Sequence, residues 1–343
     1  MKKLELGITT FLEVMQDPKT LQTMTYDERI RNAIEEIKLA DEVGLDFYGI
    51  GEHHRKDYAA SAPHVILAAA SSVTKRITLG SAVTVLSSED PVRVYQNFAT
   101  LNALSKGRAE VMVGRGSFIE SFPLFGYDLN DYDELFDEKL NLLVQIRDHE
   151  ISSYDGNYRS TYRNLGVYPR TKDLRISVAV GGTMQSAIRA GKLGLPLFVA
   201  IIGGAPRMFK PLIDLYKKTY LEAGHDESKM HVSVHSHGYV ADTYEEAFET
   251  YYPSMEQAMN QIGSERGWGK YNKRSYEFAN GFDGALYVGD PVYVAKKIRH
   301  LKETLGIDRF TLHVPVGFLE HEKVLKSIEL FGTKVRTLLE ENV

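Results

Sequence analysis

The chain has 343 residues, of which 43% are hydrophobic and 25% charged, and its formal net charge at pH 7 is -5. This composition is ordinary for a globular protein of one large domain. The sequence has no basic block with which it would bind nucleic acid or an anionic membrane. The absence of cysteine excludes disulfides, thiolate metal sites and cysteine nucleophiles, and it fits a cytoplasmic protein.

The amino-terminal stretch is interpreted as a first strand. Glu5 and Glu13 interrupt its apolar run, so a signal peptide is not expected. No apolar run in the sequence approaches the roughly 20 residues of a membrane span.

The first third of the sequence alternates short apolar runs with segments of helical period. Strands are predicted at LELGIT (4–9), LDFYGI (45–50), RITLGSAVTVL (76–86) and RAEVMVG (108–114). Helices are predicted between them at 26–43, 62–73 and 90–105. Gly44 ends the first helix, and Asp90 with Pro91 begins the third.

The rest of the chain continues this alternation after a long polar and aromatic segment (115–175) that contains a helix at 133–146. Strands are predicted at 176–180, 195–200, 231–242 and 309–315, and helices at 183–194, 205–224, 243–260, 290–306 and 321–341. The stretch 263–285 reads as irregular.

Eight strands that alternate with helices predict a parallel (β/α)8 TIM barrel, with insertions after the fourth and seventh strands. We expect residues 1–343 to form one domain of this kind. A doubly wound open sheet is the alternative, but no G-x-G-x-x-G pattern follows the first strand.

The active site of such a barrel lies at the carboxyl ends of the strands, where glycine and polar residues accumulate in this sequence. Gly181, Gly182 and Thr183 open a helix there, and Arg115 ends the preceding strand. Glycines, helix N–H groups and a guanidinium are a plausible phosphate cradle. The alternative is that the glycines form a tight turn, Thr183 only caps the helix, and Arg115 is a surface residue.

The second strand ends in GIGEHHR, which carries two adjacent histidines. Successive strand residues point to opposite sides, so His53 and His54 are not expected to bind one metal together. An imidazole at the rim suits acid–base chemistry or a hydrogen bond to a cofactor. The alternatives are that Glu52 or the backbone satisfies one histidine, or that both are structural.

His231, His235 and His237 share one side of the seventh strand. The spacing is compatible with a metal, but no carboxylate accompanies the histidines within the strand. Pocket lining or polar packing is favoured over a metal site.

Four segments together resemble the bacterial luciferase-like flavin oxidoreductases over nearly the whole chain: GLDFYGIGEHH, the block from Ile77 to Ser117 with its LSKGR, VGGTMQSAIRAGKLGLP, and HEKVLKSIELFGTKV. The resemblance implies a TIM barrel, usually dimeric, that binds reduced FMN supplied by a separate reductase. It further implies that dioxygen adds to the flavin and that the resulting hydroperoxide oxidises a small organic substrate.

The resemblance also assigns site residues. His53 matches the catalytic histidine. The stretch 81–83 matches the third-strand bulge behind the flavin ring, with a cis peptide bond expected between Ala82 and Val83. Ala82, Val83 and Thr84 are the flavin contacts that the resemblance implies there. The phosphate contacts implied are Arg115, Ser117, Gly181, Gly182 and Thr183, with Ser186 as a weaker candidate.

Two residues depart from luciferase: Gly181 replaces a more polar residue, and Gly114 replaces a cysteine. Light emission with a long-chain aldehyde is therefore not expected. The segment 263–285 lies where luciferase has a mobile lid, and we expect it to cover the flavin. The passive-loop alternative remains. The helices at 62–73 and 91–105 are expected to form a homodimer contact.

Two alternatives to the monooxygenase remain within the flavin-binding folds. One is an oxidoreductase that transfers hydride with a deazaflavin. The other is a non-catalytic flavin-binding protein, which could dispense with His53.

Overall fold

The structure is a computed structural model that describes residues 3–171 and 173–341. In these ranges the strands are β1 (Glu5–Thr10), β2 (Phe47–Ile50), β3 (Thr78–Ser81), β4 (Thr84–Val85), β5 (Ala109–Gly114), β6 (Ile151–Tyr154), β7 (Tyr162–Gly166), β8 (Arg175–Val180), β9 (Leu197–Ala200), β10 (Val232–Val240), β11 (Tyr287–Gly289) and β12 (Arg309–His313).

The helices of the same ranges are α1 (Tyr26–Glu42), α2 (Pro63–Ser71), α3 (Pro91–Leu104), α4 (Ser121–Phe125), α5 (Tyr132–Asp148), α6 (Met184–Lys192), α7 (Lys210–Glu222), α8 (Tyr244–Arg266), α9 (Lys273–Asn280), α10 (Pro291–Leu305), α11 (His321–Leu330) and α12 (Arg336–Glu340). A π-helical turn, Phe331–Val335, joins α11 to α12. No helix in the described ranges is both long and apolar enough to cross a membrane.

Eight parallel strands close into a barrel in the order β1-β2-β3-β5-β8-β9-β10-β12, and β12 pairs with β1. Ile8 of β1, for example, lies between Tyr48 of β2 and Leu312 of β12. Parallel neighbours require a crossover connection, and helices supply it here between successive barrel strands. The predicted (β/α)8 barrel is confirmed.

Helix boundaries follow the predicted capping residues. The side chain of Asp90 accepts hydrogen bonds from the backbone N–H groups of Val92 and Arg93, and Pro91 is the first residue of α3. Gly44 follows α1 with φ of +82°, a left-handed conformation that favours glycine. These residues fix where α3 begins and where α1 ends.

The amino-terminal end of the barrel is filled by a buried ion pair. Arg309 of β12 and Glu110 of β5 are each 1% exposed, and their Nη1 and Oε2 atoms are 3.0 Å apart. Burial raises the pKa of Glu110, but Arg309 and Arg175 outweigh this effect and lower it to about 2. An apolar layer that contains Phe47 and Met112 packs inside the barrel. Packed side chains thus occupy this end of the barrel, and an active site is expected at the opposite end, where the strands have their carboxyl termini.

Two long connections carry additional structure. Between β5 and β8 lie α4, α5 and an antiparallel hairpin of β6 and β7. Between β10 and β12 lie α8, α9, α10 and β11, which pairs with β10. The expectation that 263–285 is irregular is wrong, because α8 continues to Arg266 and α9 begins after the Asn272 cap, whose side chain accepts from the backbone N–H of Ser275.

Candidate active site

The end of β2 separates the two histidines of GIGEHHR. The Nε2 atom of His54 lies 2.7 Å from Oε1 of Glu52, so this carboxylate satisfies it. His53 instead turns into the barrel mouth, where it is 9% exposed. The interpretation that one histidine enters the site while Glu52 holds the other agrees with this geometry.

Glu52 also holds the loop after β3. Its backbone N–H donates to the carbonyl of Val83 at 2.9 Å, and its Oε2 accepts from the backbone N–H of Val85 at 2.9 Å. The peptide bond between Ala82 and Val83 is cis, as the resemblance implied. Ala82 and Thr84 are each 5% exposed, so this loop forms an inner wall of the mouth.

Two glycines make room for that loop. A Cβ atom on Gly114 would lie 2.9 Å from Cγ2 of Val83, and one on Gly49 would lie 2.8 Å from the Cβ of Ala82. Real Cβ atoms do not approach so closely. Glycine at 114, the position noted above as a departure from luciferase, is therefore required by the packing of Val83.

Three aromatic rings surround His53. Its ring centroid lies 4.4 Å from that of Phe11, 4.6 Å from that of Tyr58 and 5.1 Å from that of Phe118. Its backbone N–H donates to the carbonyl of Ala60 at 2.8 Å, which fixes the position of the main chain.

The His53 imidazole is neutral and one of its nitrogens lacks a protein partner. Burial, and next the nearby His313, lower its pKa to about 3. Its Nε2 atom is buried and makes no hydrogen bond. A buried polar atom without a partner costs about 1–3 kcal/mol, so this nitrogen is placed to bind a ligand or water.

Arg115 and Thr183 meet at the ends of β5 and β8. Nη2 of Arg115 lies 3.4 Å from Oγ1 of Thr183, and its Nη1 forms an ion pair with Asp133. Thr183 precedes α6 but its side chain makes no capping hydrogen bond. The alternative that this threonine serves only as a helix cap does not fit this arrangement.

The glycines that follow the neighbouring strands β8 and β9 border open space. A Cβ atom built on Gly181, Gly203 or Gly204 would contact no atom within 4 Å, and one on Gly182 would meet only the Phe209 ring at 3.9 Å. Gly182 has φ of +128°, which only glycine adopts readily. These four glycines, Arg115 and Thr183 are called the cradle below.

Ser117 and Ser186 stand apart from the cradle. Ser117 is exposed, and its carbonyl accepts a hydrogen bond from Nη2 of Arg266 at 2.8 Å. Ser186 is 4% exposed and buried in α6. The geometry brings Arg115, Gly181, Gly182 and Thr183 together, while the Ser117 carbonyl is engaged with α8.

The end of α8 is fastened over the mouth. Arg55 forms two hydrogen bonds with the Glu265 carboxylate, at 2.5 and 2.7 Å, and stacks on Phe118 at 4.4 Å. Arg266 lies 5.1 Å from the same ring. Phe118, which contacts His53, is thereby enclosed by the start of the 263–285 segment.

A second polar cluster lies deeper in the barrel. His235 and His237 of β10 and His313 of β12 are 4%, 8% and 1% exposed. Their ring centroids lie 5.0 to 6.0 Å apart. His231 does not join them, because it lies 3.5 Å from Glu5 at the other end of the barrel.

Sequence reasoning missed two members of this cluster. His313 ends the last strand, and Glu13 follows β1; the Nε2 atom of His313 lies 2.9 Å from Oε1 of Glu13. Reading the carboxyl ends of β1 and β12 as well would have placed both at the mouth. Within the described ranges, no three His, Asp or Glu residues form a group that could hold a metal ion.

Comparison with known proteins identifies the family. The profile described as luciferase-like monooxygenase matches residues 4–309. The N-acetyl-S-alkylcysteine monooxygenase of Bacillus subtilis (strain 168) is 27% identical over 312 residues, which cover 85% of this chain and 89% of that protein.

Solved structures share the fold. A monooxygenase from Streptomyces bottropensis superposes with a TM-score of 0.83 at 22% identity, covering 96% of this chain and 98% of that one. The oxygenating constituent of 3,6-diketocamphane monooxygenase from Pseudomonas putida, in complex with FMN, gives 0.78 at 20% identity and covers 98% and 99%.

A third structure is a secondary alcohol dehydrogenase dependent on coenzyme F420, in complex with an F420–acetone adduct. It gives a TM-score of 0.75 at 20% identity and covers 98% of this chain and 99% of that one. The profile match extends over most of this sequence, and the curated relative is a monooxygenase. The protein is an oxidoreductase, and its chain belongs to the luciferase-like monooxygenase family.

Proposed function

We propose that this protein is an FMN-dependent monooxygenase, which oxidises a small organic substrate with dioxygen and reduced FMN supplied by a separate reductase. The observation that carries the proposal is that one end of the barrel holds both the cradle and His53, whose buried Nε2 atom lacks a partner. The monooxygenase relative and the FMN complex with the same fold support it.

The residues of the cradle fit the phosphate of FMN. Arg115 supplies a guanidinium, Thr183 supplies a hydroxyl that no cap engages, and Gly181 and Gly182 leave the backbone accessible. The N–H groups that open α6 add the positive end of a helix dipole. Ser117 would contact the phosphate with its hydroxyl, because its carbonyl already accepts a hydrogen bond from Arg266.

Ala82, Val83 and Thr84 would form the wall against which the flavin ring lies. Glu52 fixes this wall at Val83 and Val85, so its position does not depend on the ligand. Reduced FMN, when bound, would supply the two electrons with which one oxygen atom of dioxygen is inserted into the substrate and the other is released as water.

His53 would act as a neutral hydrogen-bonding group. Its pKa of about 3 means that the imidazole carries no charge at neutral pH. A neutral imidazole offers one donor and one acceptor nitrogen, which suits polarisation of a substrate or of the oxygen being transferred. Phe11, Tyr58 and Phe118 keep water away from this nitrogen.

The 263–285 segment would serve as a lid. Arg55, Glu265 and Arg266 fasten its start over Phe118, and Phe118 in turn covers His53. A closed lid excludes water from the reaction and reduces wasteful release of peroxide.

We further propose a homodimer formed through α2 and α3. Val65 of α2 is 59% exposed, and Val73 and Leu104, which follow or end these helices, are 44% and 57% exposed. Apolar side chains that remain in contact with water on adjacent helices favour association. Light scattering at micromolar concentration should give twice the mass of the chain, and a monomer would contradict this assignment.

The test of the function is a substrate screen with FMN, an added reductase and dioxygen, in which oxygen consumption and product are both measured. Relative to wild type, His53→Ala should retain FMN binding and lose product formation by about 10²-fold or more. His149→Ala is the matched control, because His149 is an exposed histidine at the end of α5. Full activity of His53→Ala would remove the assignment of this residue.

The same screen separates the other functions. Substrate oxidation without oxygen, dependent on coenzyme F420, would identify a deazaflavin-dependent hydride transfer instead. Tight FMN binding with no turnover of any substrate would favour a non-catalytic flavin-binding protein.

A further inference from the structure

The buried cluster below His53 contains a continuous row of hydrogen bonds. It links Thr9 of β1, His235 of β10 and His313 of β12 to Glu13, which follows β1. All four side chains are at most 6% exposed. None of them has a part in the function proposed above.

The direction of these hydrogen bonds follows from the carboxylate. An ionised carboxylate only accepts, so the Nε2–H of His313 donates to Glu13 Oε1 across 2.9 Å. With its proton on Nε2, His313 accepts at Nδ1 from the hydroxyl of Thr9 at 3.3 Å. The only proton of the Thr9 hydroxyl is donated to His313, so the Thr9 oxygen accepts from the Nδ1–H of His235 at 2.9 Å.

The charge on Glu13 is supported from its other side. The hydroxyl of Thr10 donates to Oε2 of Glu13 at 3.3 Å, and Thr10 itself accepts from Nη2 of Arg29 at 3.1 Å. Arg29 is 3% exposed and also pairs with Glu36. Both carboxylate oxygens of Glu13 are therefore hydrogen-bonded, one to His313 and the other to Thr10.

The outer end of the row reaches a cavity. Glu13, Arg29, Glu36 and His321 line a small cavity between α1 and the segment that leads into α11. His321 lies at its edge and binds Glu35, which is 66% exposed, at 3.0 Å. Glu13, the last member of the row, therefore borders a cavity that it shares with the partly exposed His321.

The inner end of the row lies beside the proposed site. The orientation above leaves Nε2 of His235 with a free lone pair. The His235 ring packs against Phe198 at 5.8 Å and against His237 at 6.0 Å. Burial lowers the pKa of His235 well below its usual value, so the ring is neutral at rest. Phe11 contacts both His313, at 4.3 Å, and His53, at 4.4 Å.

We propose that Glu13, His313, Thr9 and His235 form a proton relay that takes a proton out of the barrel interior. A new N–H bond forms at Nε2 of His235 while its Nδ1–H proton passes to Thr9. The Thr9 proton passes to Nδ1 of His313, and the Nε2–H proton of His313 passes to Glu13. One proton is moved, no electron is transferred, and Glu13 is left as a carboxylic acid that borders the cavity.

The relay serves the proposed monooxygenase, and the donor is a substrate group that loses a proton as it is oxidised. His235 would be the residue that touches this group. Thr9, His313 and Glu13 act through His235 and are positioning residues. The relay does not include His53. In the described ranges, aromatic rings surround the His53 side chain and no hydrogen bonds link it to a carboxylate.

The first test is the tautomer of His235 in the full-length protein without cofactor or substrate, measured by 15N NMR of labelled histidines and assigned with His235→Gln and His313→Gln. The relay requires the Nδ1–H form at His235 and the Nε2–H form at His313. In Thr9→Val, His235 should change to the Nε2–H form while His313 stays unchanged. In Thr9→Ser, the restored hydroxyl should return the original form.

An Nε2–H form at His235 in the wild-type protein would overturn the relay, and this result does not depend on any variant folding. An unchanged His235 tautomer in Thr9→Val would overturn it as well. Neither measurement requires flavin chemistry, so failure of the relay is distinguishable from failure of the proposed function.

The second test is the rate of the reaction. Thr9→Val should lower kcat by about 10²-fold with little change in KM, and Thr9→Ser should recover most of the loss, because a hydroxyl and not a methyl carries the proton. A raised KM with an unchanged kcat would show that Thr9 only packs against the substrate site and would overturn the proton transfer.

Discussion

The carboxylate of Glu52 accepts a hydrogen bond from the backbone N–H of Val85 at 2.9 Å. The same carboxylate holds His54 at 2.7 Å, so one buried side chain joins the end of β2 to the loop after β3. His53 lies between these two attachments in the sequence. The GIGEHHR motif therefore combines a clasp, made by Glu52 and His54, with one histidine that is left free for a ligand.

Removal of this clasp should be costly to the fold. In Glu52→Ala, the buried N–H of Val85 and the His54 ring lose their partner, and we expect the free energy of unfolding to fall by about 2–3 kcal/mol. Urea denaturation measures this. Glu42→Ala is the control, since Glu42 is 59% exposed in a surface pair and should change stability by about 0.5 kcal/mol at most. An equal, small effect in both variants would contradict the clasp.

The cradle can be filled without disturbing the protein. Gly181 has an ordinary φ and no atom within 4 Å of a built Cβ, so Gly181→Val should fold normally. Its side chain would enter the space assigned to the phosphate, and the Kd for reduced FMN should rise by about tenfold or more, which is about 1.4 kcal/mol. Thermal unfolding is the control. Unchanged affinity in a stable variant would move the phosphate elsewhere.

The fastening of α8 should control the coupling of oxygen to product. Glu265→Gln removes the charge that binds Arg55, and because Glu265 is 42% exposed we expect a stability change of at most about 1 kcal/mol. Hydrogen peroxide released per product formed should rise. Glu245→Gln is the control, since it removes an exposed negative charge at the start of the same helix, far along α8 from Glu265. Equal peroxide release from both variants would contradict a lid that closes through Arg55.

The ion pair at the other end of the barrel should appear in the acid stability of the protein. Glu110 has a pKa of about 2 in the fold against an ordinary value of 4.5. Because the pKa of Glu110 is lower in the folded than in the unfolded state, its ionised form contributes roughly 3 kcal/mol to the free energy of unfolding. This contribution is fully present above pH 4.5 and is lost as the pH falls toward 2. Between these values, urea denaturation should show a shallower pH dependence for Glu110→Gln than for wild type. Parallel curves would contradict the shift.

The barrel and much of its mouth follow from local patterns in the sequence. Asp90 with Pro91 and Gly44 mark helix ends by capping chemistry that acts within a few residues. Arg115 and Thr183 could be placed together because they end strands that are neighbours in a barrel. These relationships depend on the order of the strands and on little else.

Other parts of the site depend on contacts between distant segments. The pairing of Glu13 with His313 joins residues 300 positions apart, and neither lies in a recognisable motif. The Arg55–Glu265 pair requires knowing that α8 extends past residue 260, which its Gly263 and polar composition concealed. Side-chain packing at the mouth decides such pairs, and no periodicity in the sequence reports it.

The most direct test of the account is an anaerobic titration of the purified protein with reduced FMN, oxidised FMN, FAD and coenzyme F420, with wild type and Gly181→Val compared. We predict that reduced FMN binds most tightly and that only the wild-type protein binds it with full affinity. Preference for coenzyme F420, or no binding of any flavin, would contradict the assignment of this barrel as an FMN-dependent monooxygenase.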